Sequence, residues 1–475
     1  MPRLYLFNPK DFKMKKNIIR NIVLLFLFVL PFTFAQPEAK INWKEAKTIL
    51  KRIVPPKFPN KDFLITNYGA KGDGTTDCTS AIKDAIEECN TQGGGRVVVP
   101  EGSFLTGAIH LKSNVNLYVS ENAVLKFTND KSKYLPVVFT RWEGVECMNY
   151  SALIYAYGQE NIAVTGKGIL DGQGSDENWW SWKGKKPISK KGENQNEARK
   201  KLLEMAENNI PPEERVFGEG HFLRPNFFQP YKCKNILLEG VTLKNSPMWF
   251  IHPVLSSNIS IIGVTVEGLG PNNDGCDPES CTDVLIKNCS FNTGDDCIAI
   301  KSGRNTDGRR INTPSENFVI QNCTMKEGHG GVVIGSEISG SVRNIFAENC
   351  VMDSPNLDRA IRIKTNAVRG GIIENIFVRN IKVGQVGEAV ILVDFFYEEA
   401  DKGNFIPVVR NINIKNVTSQ KSKYAVWVKA FKNSPLKNVK IENCSFNNVE
   451  KPNFLENVEN LEMKKVTING KVVTQ

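Results

Sequence analysis

Apolar and polar positions alternate in short runs along most of the chain, and one unit keeps returning. An asparagine leads a strand of β-branched and aliphatic side chains: NVNLYV at 114, NIAVTGKG at 161, NILLEGVTL at 235 and NISIIGVTV at 258. The series continues with DVLIKNCSF at 283, NFVIQNCTM at 317, NIFAENCVM at 344, NIFVRNIKV at 375, NINIKNVT at 411, NVKIENCSF at 438 and NLEMKKVTI at 460. From residue 235, successive starts are 23, 25, 34, 27, 31, 36, 27 and 22 residues apart. A repeat of that length, made of period-two strands and turns without helical pattern, predicts an all-β solenoid: a single-stranded, right-handed parallel β-helix. One rung cannot bury its apolar side alone, and stacking at about 4.8 Å completes the core. A leucine-rich repeat lacks support because the LxxLxL spacing is missing, and a β-sandwich would not reuse one unit. The two longest intervals predict loops on the outside of the coil.

The repeat is framed by other patterns. Starting at Met14, a basic front, an apolar run from Ile22 to Phe34 and Ala35 give the profile of a secretory signal at residues 1–35. The expected mature protein, 36–475, is exported to the periplasm or secreted. The apolar run is short for a bilayer span, and no later segment is long enough, so no stable membrane insertion follows signal removal. The formal charge of +10 falls to about +5 with the leader, whose six Lys/Arg face one Asp. That balance permits an anionic partner without demanding one; no nucleic-acid partner is implied, and the oligomeric state stays open.

A cap region is expected at about 36–110, with an amphipathic helix from Ile41 to Ile53 and a second from Thr79 to Cys89, capped by Asp77 or Thr79. The glycines of KGDG and GGGRVVVPEG read as plain turns, since neither has the Walker spacing. Residues 171–230 interrupt the repeat. Sixty residues without a rung are too many for a bare turn, so they predict an excursion over one edge, with a charged helix at about 196–206. Its Trp179, Trp180 and Trp182, with Phe228, suit either core packing or a wall for stacking sugars.

Eleven cysteines fit an exported protein, yet Cys289, Cys323, Cys350 and Cys444 each follow an asparagine at the same repeat phase. They are expected to stack as small buried side chains. Cys276, Cys281 and Cys297 lie near the acids described next and either bridge or fill space. No CxxC pair occurs and there are four histidines in all, which argues against zinc.

The chemistry gathers between Pro271 and Lys364. Asp274 precedes Asp295 and Asp296 by 21 and 22 residues, close to one turn of the coil, so the three are expected to share a cleft. Glycoside hydrolysis needs one carboxyl to protonate the leaving oxygen and another to activate water. A calcium site or simple turn aspartates remain alternatives. His329 stands between glycines at the same phase. Arg362 and Lys364 point to one strand face and suit a carboxylate, as do Arg304, Arg309 and Arg310 in a loop beside the double aspartate. Arg224, on the exit strand of the excursion, is expected to touch a substrate carboxylate too.

Four ordered blocks now stand out: Asn272-Asn-Asp274-Gly275, Gly294-Asp295-Asp296, Gly328-His329-Gly330 and Arg362-Ile-Lys364. They resemble those of the polygalacturonases, glycoside hydrolase family 28, over about residue 62 to the C-terminus. NND stands where many members have NTD. The resemblance implies a pectin-lyase-like solenoid that hydrolyses α-1,4-galacturonosidic bonds in pectic polysaccharide or oligogalacturonides, with inversion and without metal or cofactor. It implies Asp295 as general acid, Asp274 and Asp296 as the groups that position and deprotonate water, and His329 as support for the acid. Arg362, Lys364 and Tyr397 would hold galacturonate, beside Asn272. SPMWFIHPV, PNNDG-DPES, IKSGR-DGRR and the long insertion look most like bacterial exo-acting members. A rhamnogalacturonan or substituted-pectin hydrolase, a calcium-dependent pectate lyase and a non-catalytic binding solenoid remain the alternatives.

Overall fold

Asparagine leads each rung because the backbone there turns left-handed. Asn161, Asn235, Asn258, Asn344, Asn375 and Asn411 have φ between 53° and 60°, a region that asparagine tolerates better than most residues with a side chain. Each amide then serves a second purpose. Nδ2 donates to Oδ1 of the asparagine one rung earlier: Asn235 to Asn161 at 2.8 Å, Asn258 to Asn235 at 2.7 Å, Asn375 to Asn344 at 3.1 Å and Asn411 to Asn375 at 3.2 Å. Asp283 leads its rung with φ 56° and pairs instead with Arg52, at 2.6 Å.

The computed structural model describes residues 41–184 and 193–473; the expected leader at 1–35 lies outside them. Twenty-three of the described strands form one continuous sheet, parallel throughout except for the closing hairpin of Val458–Ile468 with Lys471–Val473. The residue after each lead asparagine points inward and stacks in register: Ile236, Ile259, Val284, Phe318, Ile345, Ile376, Ile412, Val439 and Leu461. The fold is a right-handed parallel β-helix, as the repeat predicts. All eleven cysteines are buried and unpaired, Cys276, Cys281 and Cys297 included.

A second parallel wall carries the functional side. It comprises Ile298–Ile300, Val332–Ile334, Arg359–Lys364, Ala389–Asp394, Tyr424–Lys429 and Phe454–Glu456. Single bridges Phe228–Ile251, Ile251–Cys276 and Cys276–Ile298 continue it back to Phe228–Tyr231 and Ile154–Tyr157.

Helix α1 (Trp43–Arg52) buries Ala46 and Ile49 against Val319, Phe346 and Phe377 on the outside of the coil. Helix α2 (Thr79–Thr91) caps one end with Ile82, Ala85 and Ile86 in the main core; the Asp77 carboxylate accepts from the Thr79 N–H. Helix α3 (Asn196–Glu207) lies in the long interruption of the repeat. Its Ala198, Leu202 and Ala206 pack on Trp142, Met248 and Trp249. No helix among the described residues is long and apolar enough to cross a membrane.

Candidate active site

Cys276 and Ile298 occupy successive levels of the second wall, so the turns that precede them present side chains to one place. Asp274 lies on the first turn; Asp295 and Asp296 lie on the next. The Gly275 N–H donates to the Asp296 carbonyl at 2.9 Å, and a Cβ on Gly275 would stand 2.5 Å from the Cys297 carbonyl oxygen, so only glycine allows this approach. As a result, one carboxylate oxygen from each of Asp274, Asp295 and Asp296 lies within 4.8 Å of the others.

Their environments differ. Burial, then the charges of Asp277 and Asp295, hold the Asp274 carboxyl well above the usual range. Burial also pushes Asp277 up to about 8, against the pull of Lys301. Burial acts on Asp295 too, but a 2.9 Å contact with His329 Nδ1, with Lys364 and Lys301 beyond, overrides it and leaves Asp295 below the usual range. Asp296 is likewise lowered against its burial, by Lys364 Nζ at 2.6 Å and Arg362 Nη1 at 3.2 Å. Protonation is therefore favoured at Asp274 and Asp277 over Asp295 and Asp296.

Asp274 and Asp295 line a pocket of about 190 Å³, together with Lys183, Arg199, Trp249, Arg304, Glu337 and Tyr397; Asp296 is fully buried beside them. Lys301 forms its floor, 3.8 Å from Asp274, 3.4 Å from Asp277, 3.2 Å from Glu337 and 4.6 Å above the Trp249 ring. Glu143, at the tip of the hairpin Val138–Trp142/Val145–Asn149, also lines it. Arg199 of α3 grips Glu143 at 2.7 Å. The tip is seated on Arg304: a Cβ on Gly144 would stand 2.8 Å from the Arg304 nitrogen, which donates to the Gly144 carbonyl at 3.0 Å. A larger cavity of about 350 Å³ lies beneath α2, but its one carboxylate, Glu87, is already paired with Lys112.

The sequence-derived residues are distributed unevenly about this pocket. Asp274, Asp295, Asp296, His329, Arg362, Lys364 and Tyr397 converge; Arg362 and Lys364 lie 5.5 and 5.1 Å from the Tyr397 ring centre. Asn272 and Arg304 line the pocket. Arg362 and Lys364 are buried and spend donors on Asp296. Arg224 corrects the expectation of substrate contact. It is 0% exposed, and it donates to Gln195 at 3.1 Å, to the Pro247 and Pro271 carbonyls at 3.0 and 2.6 Å and to Asn272 at 2.8 Å. It holds the Asn272 loop in place. Arg309 and Arg310 also face elsewhere, onto the Val368 carbonyl and onto Glu146. Trp179, Trp182 and Phe228 belong to the main core, and Trp180 donates to the Ser246 carbonyl, so the aromatic groups at the pocket are Trp249 and Tyr397 instead.

Sequence reasoning passed over Lys301 and Glu337. Lys301 carried a signal: it ends the strand that follows the double aspartate, five residues after Asp296. Lys183, Arg199 and Glu143 lie outside the repeat and carried none.

Residues 219–468 match the model described as glycosyl hydrolases family 28. The chain belongs to that family. It is a glycoside hydrolase, and residues 63–133 match a second model, rhamnogalacturonase A/epimerase, pectate lyase-like. A hyperthermoactive exopolygalacturonase from Thermotoga maritima has a solved structure that aligns with TM-score 0.88 and 48% identity, covering 90% of this chain and 96% of that one. A probable polygalacturonase from Vitis vinifera is 29% identical over 397 residues, 80% of this chain and 73% of its own. An exo-poly-α-D-galacturonosidase from Dickeya chrysanthemi is 29% identical over 392 residues; the match spans 75% of this chain and 62% of that protein.

Proposed function

We propose that this family 28 hydrolase cleaves α-1,4-galacturonosidic bonds in pectic polysaccharide or oligogalacturonides, releasing single galacturonate units from the non-reducing end. The observation that carries the reading is the convergence of three carboxyls beside a cation-rich pocket into which the hairpin tip and α3 also project. A groove open at both ends lets a polymer lie across the rungs and be cut internally. Here the hairpin tip and α3 bring the paired Glu143 and Arg199 to the pocket, and in this reading they stop the chain so that a terminus enters. The exopolygalacturonase from Thermotoga maritima supports the same reading.

In the reaction a proton passes to the glycosidic oxygen as the bond to the anomeric carbon breaks, and a water that has lost its proton to a carboxylate bonds to that carbon. Asp295 is assigned as the acid, Asp274 and Asp296 as the groups that hold and deprotonate water, and His329 as the support of Asp295. The surroundings favour a proton on Asp274 over Asp295, so the acid role requires Asp295 to gain a proton when substrate binds. Lys301 stands beside Asp274, and Lys364 and Arg362 pair with Asp296, so the steps assigned here are carried by the chain's own groups. The inverting outcome rests on family membership. The closest carboxylate oxygens lie within 4.8 Å, nearer than the roughly 6.5–9.5 Å between carboxyl groups that ordinarily houses the attacking water.

The model match at 63–133 lies away from the acids, so it does not favour a rhamnogalacturonan backbone. The basic and apolar run at 14–35 supports export, and we place the enzyme in the periplasm or outside the cell. Product analysis tests the whole reading. Monogalacturonate as the first product from polygalacturonate, as the anomer opposite to the bond cleaved, is the expected result. Early oligomers with a rapid fall in viscosity would mean an open groove, and an unsaturated product would mean elimination.

A further inference from the structure

We propose that Lys183 and Arg199 form a second carboxylate-recognition site, which reads the charge of the terminal sugar on the Glu143 side of the pocket. The proposal rests on the exo-acting reading above and assigns the residues that select the sugar to be released.

The argument is an inventory of donors. Five cations line the pocket: Lys183, Arg199, Lys301, Arg304 and Lys364. Three are committed to protein carboxylates. Lys364 lies on Asp296; Lys301 lies on Glu337, Asp277 and Asp274; Arg304 reaches Glu337 at 3.3 Å and Glu398 at 3.2 Å. Lys183, at the end of the 3-10 turn Trp180–Lys183, forms no ion pair among the described residues. The following segment, 185–192, reads KKPISKKG and contains no acid that might supply one. Arg199 uses Nε on Glu143, at 2.7 Å, and neither Nη makes a hydrogen bond among the described residues. Burial lowers the affinity of Lys183 for its proton, so an anion arriving there is favoured both by the charge and by relief of that burden.

A half-buried ammonium beside an unspent guanidinium fork suits one planar carboxylate, with the fork supplying two parallel bonds and the ammonium a point charge. Both groups line the pocket with Glu143, on the side that the exo-acting reading takes as its end. The carboxylate they meet therefore belongs to the sugar on the non-reducing side of the scissile bond, distinct from any that approaches Arg362 and Lys364. Released product and selected group are then the same residue of the polymer.

Trigalacturonate and the same trimer methyl-esterified only on its non-reducing sugar separate the possibilities. Wild type is expected to prefer the free acid. In Lys183→Met, kcat/KM on the free acid is expected to fall by about tenfold to a hundredfold, the range for one hydrogen bond to a charged group, and the loss on the ester is expected to be at least tenfold smaller. Arg199→Lys should restore part of the preference that Arg199→Met removes. Since Lys183 is unpaired, its replacement by Met should not lower the melting temperature, which excludes misfolding as the cause. Equal losses on both substrates, or no loss, would overturn the proposal while leaving the exo reading intact. A wild type that frees no galacturonate from either trimer would instead overturn the function on which it rests.

Discussion

His329 Nδ1 lies 2.9 Å from Asp295 Oδ1, and each group holds the other charged. The hydrogen bond that the imidazole donates to the Asp295 carboxylate raises the imidazole's affinity for its proton, and the same bond is the largest influence holding the Asp295 carboxyl down against burial. Stability contributed by His329 is fully present below its unfolded pKa, about 6.5, and is lost as pH rises through the raised folded value. Stability contributed by Asp295 is present above its unfolded pKa, about 3.9, and is lost as pH falls through its lowered value. The melting temperature of wild type should therefore exceed that of His329→Gln most clearly between about pH 4 and 6.5. In the same variant the limb of the pH–rate profile governed by Asp295 should move to higher pH. Profiles that superimpose would mean that the pair does not set the charge of the acid.

The assignment of Asp295 as acid, with protonation favoured at Asp274, yields a second test. Asp295→Asn and Asp274→Asn should each lower kcat far more than they raise KM, because both act on the transition state. A galacturonide whose leaving group departs without protonation should recover much of the rate in Asp295→Asn and little in Asp274→Asn. The reverse pattern would exchange the two roles.

Lys364 and Asp296 form a buried pair at 2.6 Å. Removing one member leaves the other as an uncompensated buried charge, so Lys364→Met should cost about 3–5 kcal/mol in urea unfolding. It should also raise the Asp296 carboxyl, since Lys364 is its strongest neutralising neighbour. A loss below about 1 kcal/mol, the size of an exposed pair, would show that water reaches this pair.

Asn375 tests the ladder away from the pocket. It donates to Asn344, accepts from Asn411 and has φ 60°. Asn375→Ala should cost about 2–4 kcal/mol, combining left-handed strain with two hydrogen bonds. Asn375→Gly keeps the φ and should cost less, with the activity of the folded enzyme unchanged in both. Equal losses in the two variants would remove backbone conformation as the reason for asparagine.

Chelator should leave the rate of wild type unchanged, since Lys301 and Lys364 already face the acids that a cation would otherwise bind. Loss of activity with a metal chelator and its return with calcium would reopen the elimination chemistry of a lyase.

The repeat was legible in the sequence because every rung obeys one local rule. A left-handed lead residue and a period-two apolar strand act within a few residues, so the phase of Asn235 or Asn411 fixes which side chains face the core. The same rule put Asp274 level with Asp295 and Asp296, one turn apart. Tertiary structure alone decided the rest. Whether Asp295 or Asp274 holds the proton depends on His329, Lys364 and burial, which arise on other rungs. Arg224 and Arg304 look alike in sequence, yet one is spent inside the wall on carbonyl oxygens and the other faces the pocket. Glu143 and Arg199 meet across 56 residues with neither on a rung of the repeat, and no local pattern reaches that far.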